Sequence, residues 1–326
     1  MAAILRFRDD HHLPASLRGG VVAIGNFDGV HRGHQAVLGE ARRIAGDIGS
    51  PALAMTFDPH PRKVFRPDLP LFVLTPPAEK ARLLASLGFA AIVEKSFDKG
   101  FAALSAEDFV TEILVRRLGI RHAVTGFDFH FGRMRSGGPA FLMAAGERLG
   151  FKVTLVDAFR DENGEVISSS RIRLLLNDGD VAAAAGLLGY RYTVGGVVRG
   201  GRKLGRTIGF PTANIRLPDD VALRHGIYAV RFRRPDGALH DGVASFGLRP
   251  TVEEAGAPLL ETYLFDFSGD LYGESCQVSF FGFLRGEEKF ASLDALTAQI
   301  GRDAEEARAL LSGVAPLSQL DGEVCF

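Results

Sequence analysis

Tryptophan is absent from the 326 residues, so a fluorescent ligand can be followed with little interference from the protein. Cysteine is scarce as well. The two present, Cys276 and Cys325, match no metal-ligand or redox spacing and cannot build a disulfide framework, which fits a reducing cytoplasm. A charge excess is also missing: 38 Lys and Arg against 39 Asp and Glu leave a formal net charge of -1. That argues against a chain built to neutralise a long nucleic-acid backbone. Phosphates of small ligands need only a few basic side chains and backbone N–H groups, so they remain open. No apolar run reaches the ~18 residues of a membrane span, and residues 1–20 carry Asp9, Asp10, His11 and His12 where a signal peptide needs an apolar stretch. The expectation is a soluble cytoplasmic protein with neither membrane nor nucleic acid as a partner; homo-oligomerisation is left open.

What is present is a globular composition, 46% hydrophobic and 24% charged, in a chain too long for one ordinary core. Two domains are expected, 1–186 and 187–326. In the first, short apolar runs at 21–24, 52–57, 90–93, 122–125 and 153–156 alternate with amphipathic stretches at 33–48, 78–87, 105–118 and 138–149. That alternation predicts an α/β, Rossmann-like domain: a parallel sheet with helices on both faces. Two helices, 168–177 and an Ala-rich 180–188 closed by Gly189, mark the region of the boundary. Beyond Tyr190, β-branched and aromatic runs at 192–198, 227–232, 242–246, 260–267 and 276–281 are separated by turn signals such as Pro235-Asp236-Gly237. They predict an antiparallel barrel or sandwich closed by one amphipathic helix near 293–311.

The first strand leads into Gly25-Asn26-Phe27-Asp28-Gly29-Val30-His31-Arg32-Gly33-His34, a His-x-Gly-His string at the start of a helix. A helix tip offers unpaired N–H groups and partial positive charge, Gly33 lets a phosphate approach the backbone, and two imidazoles on one turn can donate to phosphate oxygens. The matching chemistry is in-line attack on the α-phosphorus of a nucleotide, with preorganised donors stabilising the growing charge. Three further strings follow predicted strands and so belong at the same sheet edge: Thr56-Phe57-Asp58-Pro59-His60-Pro61, Gly126-Phe127-Asp128-Phe129-His130-Phe131-Gly132, and Ile167-Ser168-Ser169-Ser170-Arg171-Ile172-Arg173. Alone, the serine string is a helix cap and the phenylalanines are core. In order, the four strings resemble the N-terminal module of the prokaryotic bifunctional riboflavin kinase/FAD synthetase family, which joins FMN and ATP into FAD and pyrophosphate. The resemblance implies catalytic roles for His31 and His34. It implies ATP or phosphate contacts from Gly25, Phe27, Gly33, Asp128, Ser169, Ser170 and Arg171, and flavin contacts from Asp58, His60 and Phe127.

The second constellation starts at a basic, glycine-punctuated loop, 200–210, that leads into Pro211-Thr212-Ala213-Asn214. It lacks the Gly-Lys-Ser/Thr of a Walker loop, but its glycines can present N–H groups to phosphates. Thr212 and Asn214 fall on one face of an extended segment, as two oxygen ligands of the kind Mg²⁺ takes. Glu261, a lone carboxylate in an apolar strand, is the candidate base; a water-facing strand residue is the plainer account of it. With Gly226-Ile227-Tyr228-Ala229, the stretch 242–251 and Asp266-Phe267 before Gly269-Asp270-Leu271-Tyr272-Gly273, these segments resemble the riboflavin kinase module of the same family. The resemblance implies Mg²⁺ at Thr212 and Asn214, ATP contacts from Gly205 and Gly209, a flavin contact from Arg249, and Glu261 deprotonating the ribityl hydroxyl. Two departures stand close to that site: Ser245-Phe246 for Asn and a branched aliphatic, and Tyr263 for His. The expected partners are riboflavin, FMN, FAD and ATP, with Mg²⁺ as cofactor. A nucleotidyltransferase acting on another phosphate acceptor would leave the Pro-Thr-Ala-Asn β-domain unexplained. A flavin-binding module with decayed sites is opposed by the intact His31, His34, Thr212, Asn214 and Glu261.

Overall fold

A computed structural model describes residues 4–9, 13–200, 209–248 and 256–326. Its contacts divide the chain into two compact units, Met1–Ser169 and Ser170–Phe326. This division falls ahead of the 186/187 boundary expected from sequence, because the contacts group both intervening helices with the second unit.

The first unit is a six-stranded sheet: β1 (Leu5–Arg8), β2 (Val21–Ile24), β3 (Ala52–Asp58), β4 (Ala91–Ser96), β5 (His122–Gly126) and β6 (Lys152–Val156). The order is β1-β4-β3-β2-β5-β6, and every pairing is parallel. Strands covered on both faces should be apolar throughout, and β2 is buried at all four positions. The main helices are α1 (Arg32–Asp47), α2 (Pro61–Phe65), α3 (Pro77–Ser86), the short α4 (Lys99–Ala102), α5 (Ala106–Asp108) running into a π-helical stretch Phe109–Leu118, and α6 (Pro139–Leu149). After β2 the chain lays β3 and β4 on one side, then crosses to lay β5 and β6 on the other. The switch point therefore lies between the carboxyl ends of β2 and β5, where open α/β sheets bind ligands. The sequence reading misses β1: its two arginines bond to the buried Glu94 of β4, Arg6 at 2.6 Å and Arg8 at 3.0 Å.

The second unit takes in α7 (Ser169–Asp178), apart from its first residue, and α8 (Val181–Leu188). Its six strands are β7 (Thr193–Arg199), β8 (Thr212–Arg216), β9 (Gly226–Arg233), β10 (Leu239–Leu248), β11 (Pro258–Leu264) and β12 (Ser275–Arg285). They close into an antiparallel barrel ordered β10-β11-β8-β7-β12-β9. Leu260, Thr262 and Leu264 are buried while Glu261 is exposed, the alternation of a strand with one face inside a barrel. The expected terminal helix is α9 (Leu293–Ser312), packed on β9, β10 and β12. Asp303, buried on α9, takes both arms of Arg285 at 2.8 and 2.7 Å. Gly282 admits the helix, since a Cβ there would sit 2.5 Å from Leu310. A further helix, α10 (Gln319–Cys325), is held by Asp321, which accepts from the Arg191 backbone at 2.8 Å and pairs with its guanidinium. Among the described residues no helix is long and apolar enough to cross a membrane.

Candidate active site

The His-x-Gly-His string lies at the switch point of the first unit, on the turn between β2 and α1. His31 is the N-cap of α1, and its Nδ1 accepts from the His34 backbone N–H at 3.3 Å. That bond places the proton of a neutral His31 ring on Nε2. The two imidazoles stack 3.6 Å apart, 18° from parallel. His31 is 5% exposed and His34 half-buried. Burial, the His31 ring and the Lys80 ammonium hold the His34 imidazole well below its usual pKa, so it is a neutral base at neutral pH. The His34 Nδ1 and Asn26 Oδ1 atoms are both buried without a hydrogen-bond partner among the described residues.

The glycines of this turn make room for rings. A Cβ on Gly33 would lie 3.2 Å from His31 Cε1 and Nδ1, and one on Gly25 would lie 3.0 Å from the Phe27 ring. Phe27 is itself buried, with its ring edge-on to His34 at 5.5 Å.

Phe27, at φ 47°, and Val30, at φ 38°, hold left-handed backbone that a β-branched residue rarely adopts. Such strain persists only where surrounding contacts over-determine it, and a dense set of bonds surrounds this turn. Thr75 Oγ1 accepts from the Gly29 N–H at 2.8 Å and donates to the Phe27 carbonyl at 3.3 Å. The Thr75 N–H donates to Asp28 Oδ1 at 3.1 Å. Lys80 Nζ donates to the Asn26 carbonyl at 2.6 Å and to Thr56 Oγ1 at 3.0 Å. The Ser169 hydroxyl donates to the Asp28 carbonyl at 2.8 Å.

Other predicted residues line the same carboxyl edge. Asp58 ends β3, and His60 caps α2 by accepting from Arg62 N–H at 3.1 Å. Phe127, 49% exposed, follows β5, and the exposed Asp128 places Oδ1 where a Cβ on Gly126 would meet it at 3.1 Å. Ser170 is exposed and Arg171 half-buried; both belong to the second unit.

In the barrel, register brings the second constellation together. Thr212 and Asn214 of β8 stand directly across from Tyr263 and Glu261 of β11, and Ser245 of β10 pairs with Glu261 from the other side. Alternation puts all five on the outer face of these strands. Asn214 is 6% exposed. Its Nδ2 donates to the Thr212 carbonyl at 3.2 Å, which can only accept and so fixes the orientation of the amide. The Asn214 Oδ1 is thereby left buried without a partner among the described residues. A buried, uncommitted amide oxygen beside a threonine and across from a carboxylate is a donor set that suits a hard cation. Glu261 is exposed, on the water-facing side of its strand. Tyr263 packs edge-on against Phe210 at 5.0 Å. Gly209 holds φ 88°, a backbone that requires glycine. Gly205 and Arg249 lie outside the described residues.

Comparison with known proteins gives each unit a family. A model of the FAD synthetase family matches residues 13–171, and a model of the riboflavin kinase family matches residues 188–311. The Bifunctional riboflavin kinase/FMN adenylyltransferase of Escherichia coli K12 is 42% identical over 303 residues, 92% of this chain and 96% of that protein.

The chain belongs to the bifunctional riboflavin kinase/FMN adenylyltransferase family.

The Listeria monocytogenes member is 40% identical over 294 residues, 90% of this chain and 92% of that protein. Among solved structures, one described as a macrolide-efflux protein from Streptococcus pneumoniae shares the fold with a TM-score of 0.82 at 32% identity, covering 94% of this chain and 99% of that one. Within this family member, Thr75 and Lys80 belong to the histidine turn although the sequence reading placed only a helix there. The one available signal was Leu74-Thr75-Pro76-Pro77, a threonine before two prolines, which reads as an ordinary helix start.

Proposed function

We propose that the two activities of this family member divide between the two constellations described above. The chain is a bifunctional enzyme of flavin-cofactor biosynthesis: riboflavin and ATP give FMN and ADP, then FMN and ATP give FAD and pyrophosphate. Adenylyl transfer is assigned to the switch point of the first unit. There His31, its proton on Nε2, and His34 stabilise the negative charge that grows on the α-phosphate oxygens as the FMN phosphate attacks, and no covalent nucleophile is needed. The observation that carries this assignment is the stacked imidazole pair on a helix tip at the switch point. Gly25, Phe27 and Gly33 shape that tip, while Asp128, Ser169, Ser170 and Arg171 are proposed for ATP, and Asp58, His60 and Phe127 for the flavin.

Riboflavin phosphorylation is assigned to the outer face of β8 and β11. Thr212 and Asn214 would hold Mg²⁺, which supplies neutralisation of phosphate charge when bound. Glu261, exposed on the same face, takes the proton of the ribityl 5′-hydroxyl as it attacks the γ-phosphorus. Gly209 is proposed for the ATP phosphates. The functional boundary is placed at 186/187, between the two family matches, and the protein is assigned to the cytoplasm. Incubation of the pure protein with riboflavin, Mg²⁺ and ATP tests the whole reading: FMN appears first and FAD follows. Accumulation of neither product after long incubation would end it.

A further inference from the structure

We propose that Lys80 is a positioning residue for adenylyl transfer: its buried ammonium pins the turn that carries His31 and sets a positive charge beside His34. The inference rests on the assignment of adenylyl transfer to that turn. Three observations on α3 and its entry support it.

Lys80 is 8% exposed, a location lysine almost never takes without compensation. Its bonds go to neutral oxygens, the Asn26 carbonyl at 2.6 Å and Thr56 Oγ1 at 3.0 Å. The carboxylates of Asp28, Asp58 and Glu94 supply the opposing charge at longer range. For packing alone an apolar residue would serve without the desolvation cost. The lysine therefore has another use, and the atoms it touches show which.

The Asn26 carbonyl is one residue before Phe27, where the backbone enters its left-handed excursion. The Thr56 hydroxyl also donates to that carbonyl, at 3.1 Å, so lysine, threonine and carbonyl form a closed triangle between the turn after β2, β3 and α3. Five positions before Lys80, Thr75 N–H and Oγ1 hold Asp28, Gly29 and Phe27. The segment Thr75 to Lys80 thus grips the turn at both ends, and the His31 ring rides on the helix that the turn starts.

The charged and titratable groups that act on His34 and Lys80 are His31 at the N-cap of α1, Asp28 on the turn, Asp58 on β3, Glu94 on β4 and Lys80 itself. Of these, His31 and Lys80 act on His34 in the direction that burial already sets, toward the neutral ring. Removing the lysine charge therefore raises the His34 pKa.

Lys80→Met and Lys80→Gln decide the matter, the second keeping an N–H donor for the Asn26 carbonyl while losing the charge. The expected result for Lys80→Met is a fall of roughly 100-fold in kcat for FAD formation from FMN, the effect of moving a catalytic group by about 1 Å, with riboflavin phosphorylation unchanged. Lys80→Gln retains more of kcat. In both variants the His34 ring, assigned by NMR against His34→Gln, titrates at higher pH than in the wild type, a change that loss of packing alone does not produce. If both variants keep kcat within about twofold of wild type, or His34 titrates unchanged, the proposal is overturned. Loss of the first unit's circular dichroism in both variants also overturns it, since the lysine then serves folding. His34→Ala measured alongside separates the two readings. Retention of FAD formation by that variant removes the site assignment itself, whereas its loss together with fully active Lys80 variants removes only the role of the lysine.

Discussion

Replacing Asn214 by leucine should make the protein more stable and abolish its kinase activity. The Asn214 Oδ1 is buried and accepts from no group among the described residues, and an unmade buried acceptor costs about 1–3 kcal/mol. The same amide gains one bond, Nδ2 to the Thr212 carbonyl at 3.2 Å, which contributes about 0.5–1.5 kcal/mol. Leucine has nearly the same shape and removes both terms, for a net gain of about 1 kcal/mol in the absence of ligand. For a unit of this size that raises the melting temperature by about 2–4 °C. Ligand reverses the order. In the wild type, Mg²⁺ and ATP at about 100 times their Kd add about 2.7 kcal/mol, whereas the leucine variant, lacking the oxygen, gains much less. Calorimetry of both proteins with and without Mg·ATP, beside an FMN-production assay, measures every quantity. A lower melting temperature without ligand, or kinase activity within about tenfold of wild type, refutes the assignment of this oxygen to the cation.

Three other perturbations follow from the geometry. Gly33→Ala places a Cβ 3.2 Å from the His31 ring; FAD formation falls by about 10-fold or more as the ring yields, while FMN formation, assayed separately, is unaffected. His34 and His122 are both held below the usual 6.5, by burial first and by neighbouring positive groups second. The unfolded chain then binds more protons than the folded one just below pH 6.5, so this part of the stability is complete above that pH and is lost as pH falls through it. Melting at pH 7.5 and 5.5 reads the loss, and His34→Gln reduces the difference. Asp303→Ala leaves Arg285 without the carboxylate it grips with both arms and costs about 3 kcal/mol, measured by urea unfolding; a cost under about 1 kcal/mol would place the pair among surface salt bridges.

The sequence made the sheet of the first unit legible because β2 to β6 each carry a short, mainly apolar run between amphipathic helices, and the switch point follows from their order. Thr212, Asn214 and Glu261 could be proposed singly, but only the β8–β11 register, with Glu261 across from Asn214, shows that they share a face. β1 was not legible, since Leu5-Arg6-Phe7-Arg8 becomes a strand by pairing with β4 and placing two guanidinium groups on Glu94, a tertiary event. Thr75 and Lys80 were missed for the same reason. Their bonds reach back 46 to 54 residues, and no local periodicity encodes that contact. α10, interrupted by Gly322, owes its place to the bond between Asp321 and Arg191 rather than to helix propensity.

That one chain carries two separable sites is open to a direct test. Product analysis by chromatography on two variants, each given riboflavin or FMN with Mg·ATP, tests it most directly. His34→Ala is expected to convert riboflavin to FMN and stop there, while Glu261→Ala leaves riboflavin untouched yet converts supplied FMN to FAD. Loss of both reactions in either variant, or of neither, contradicts it.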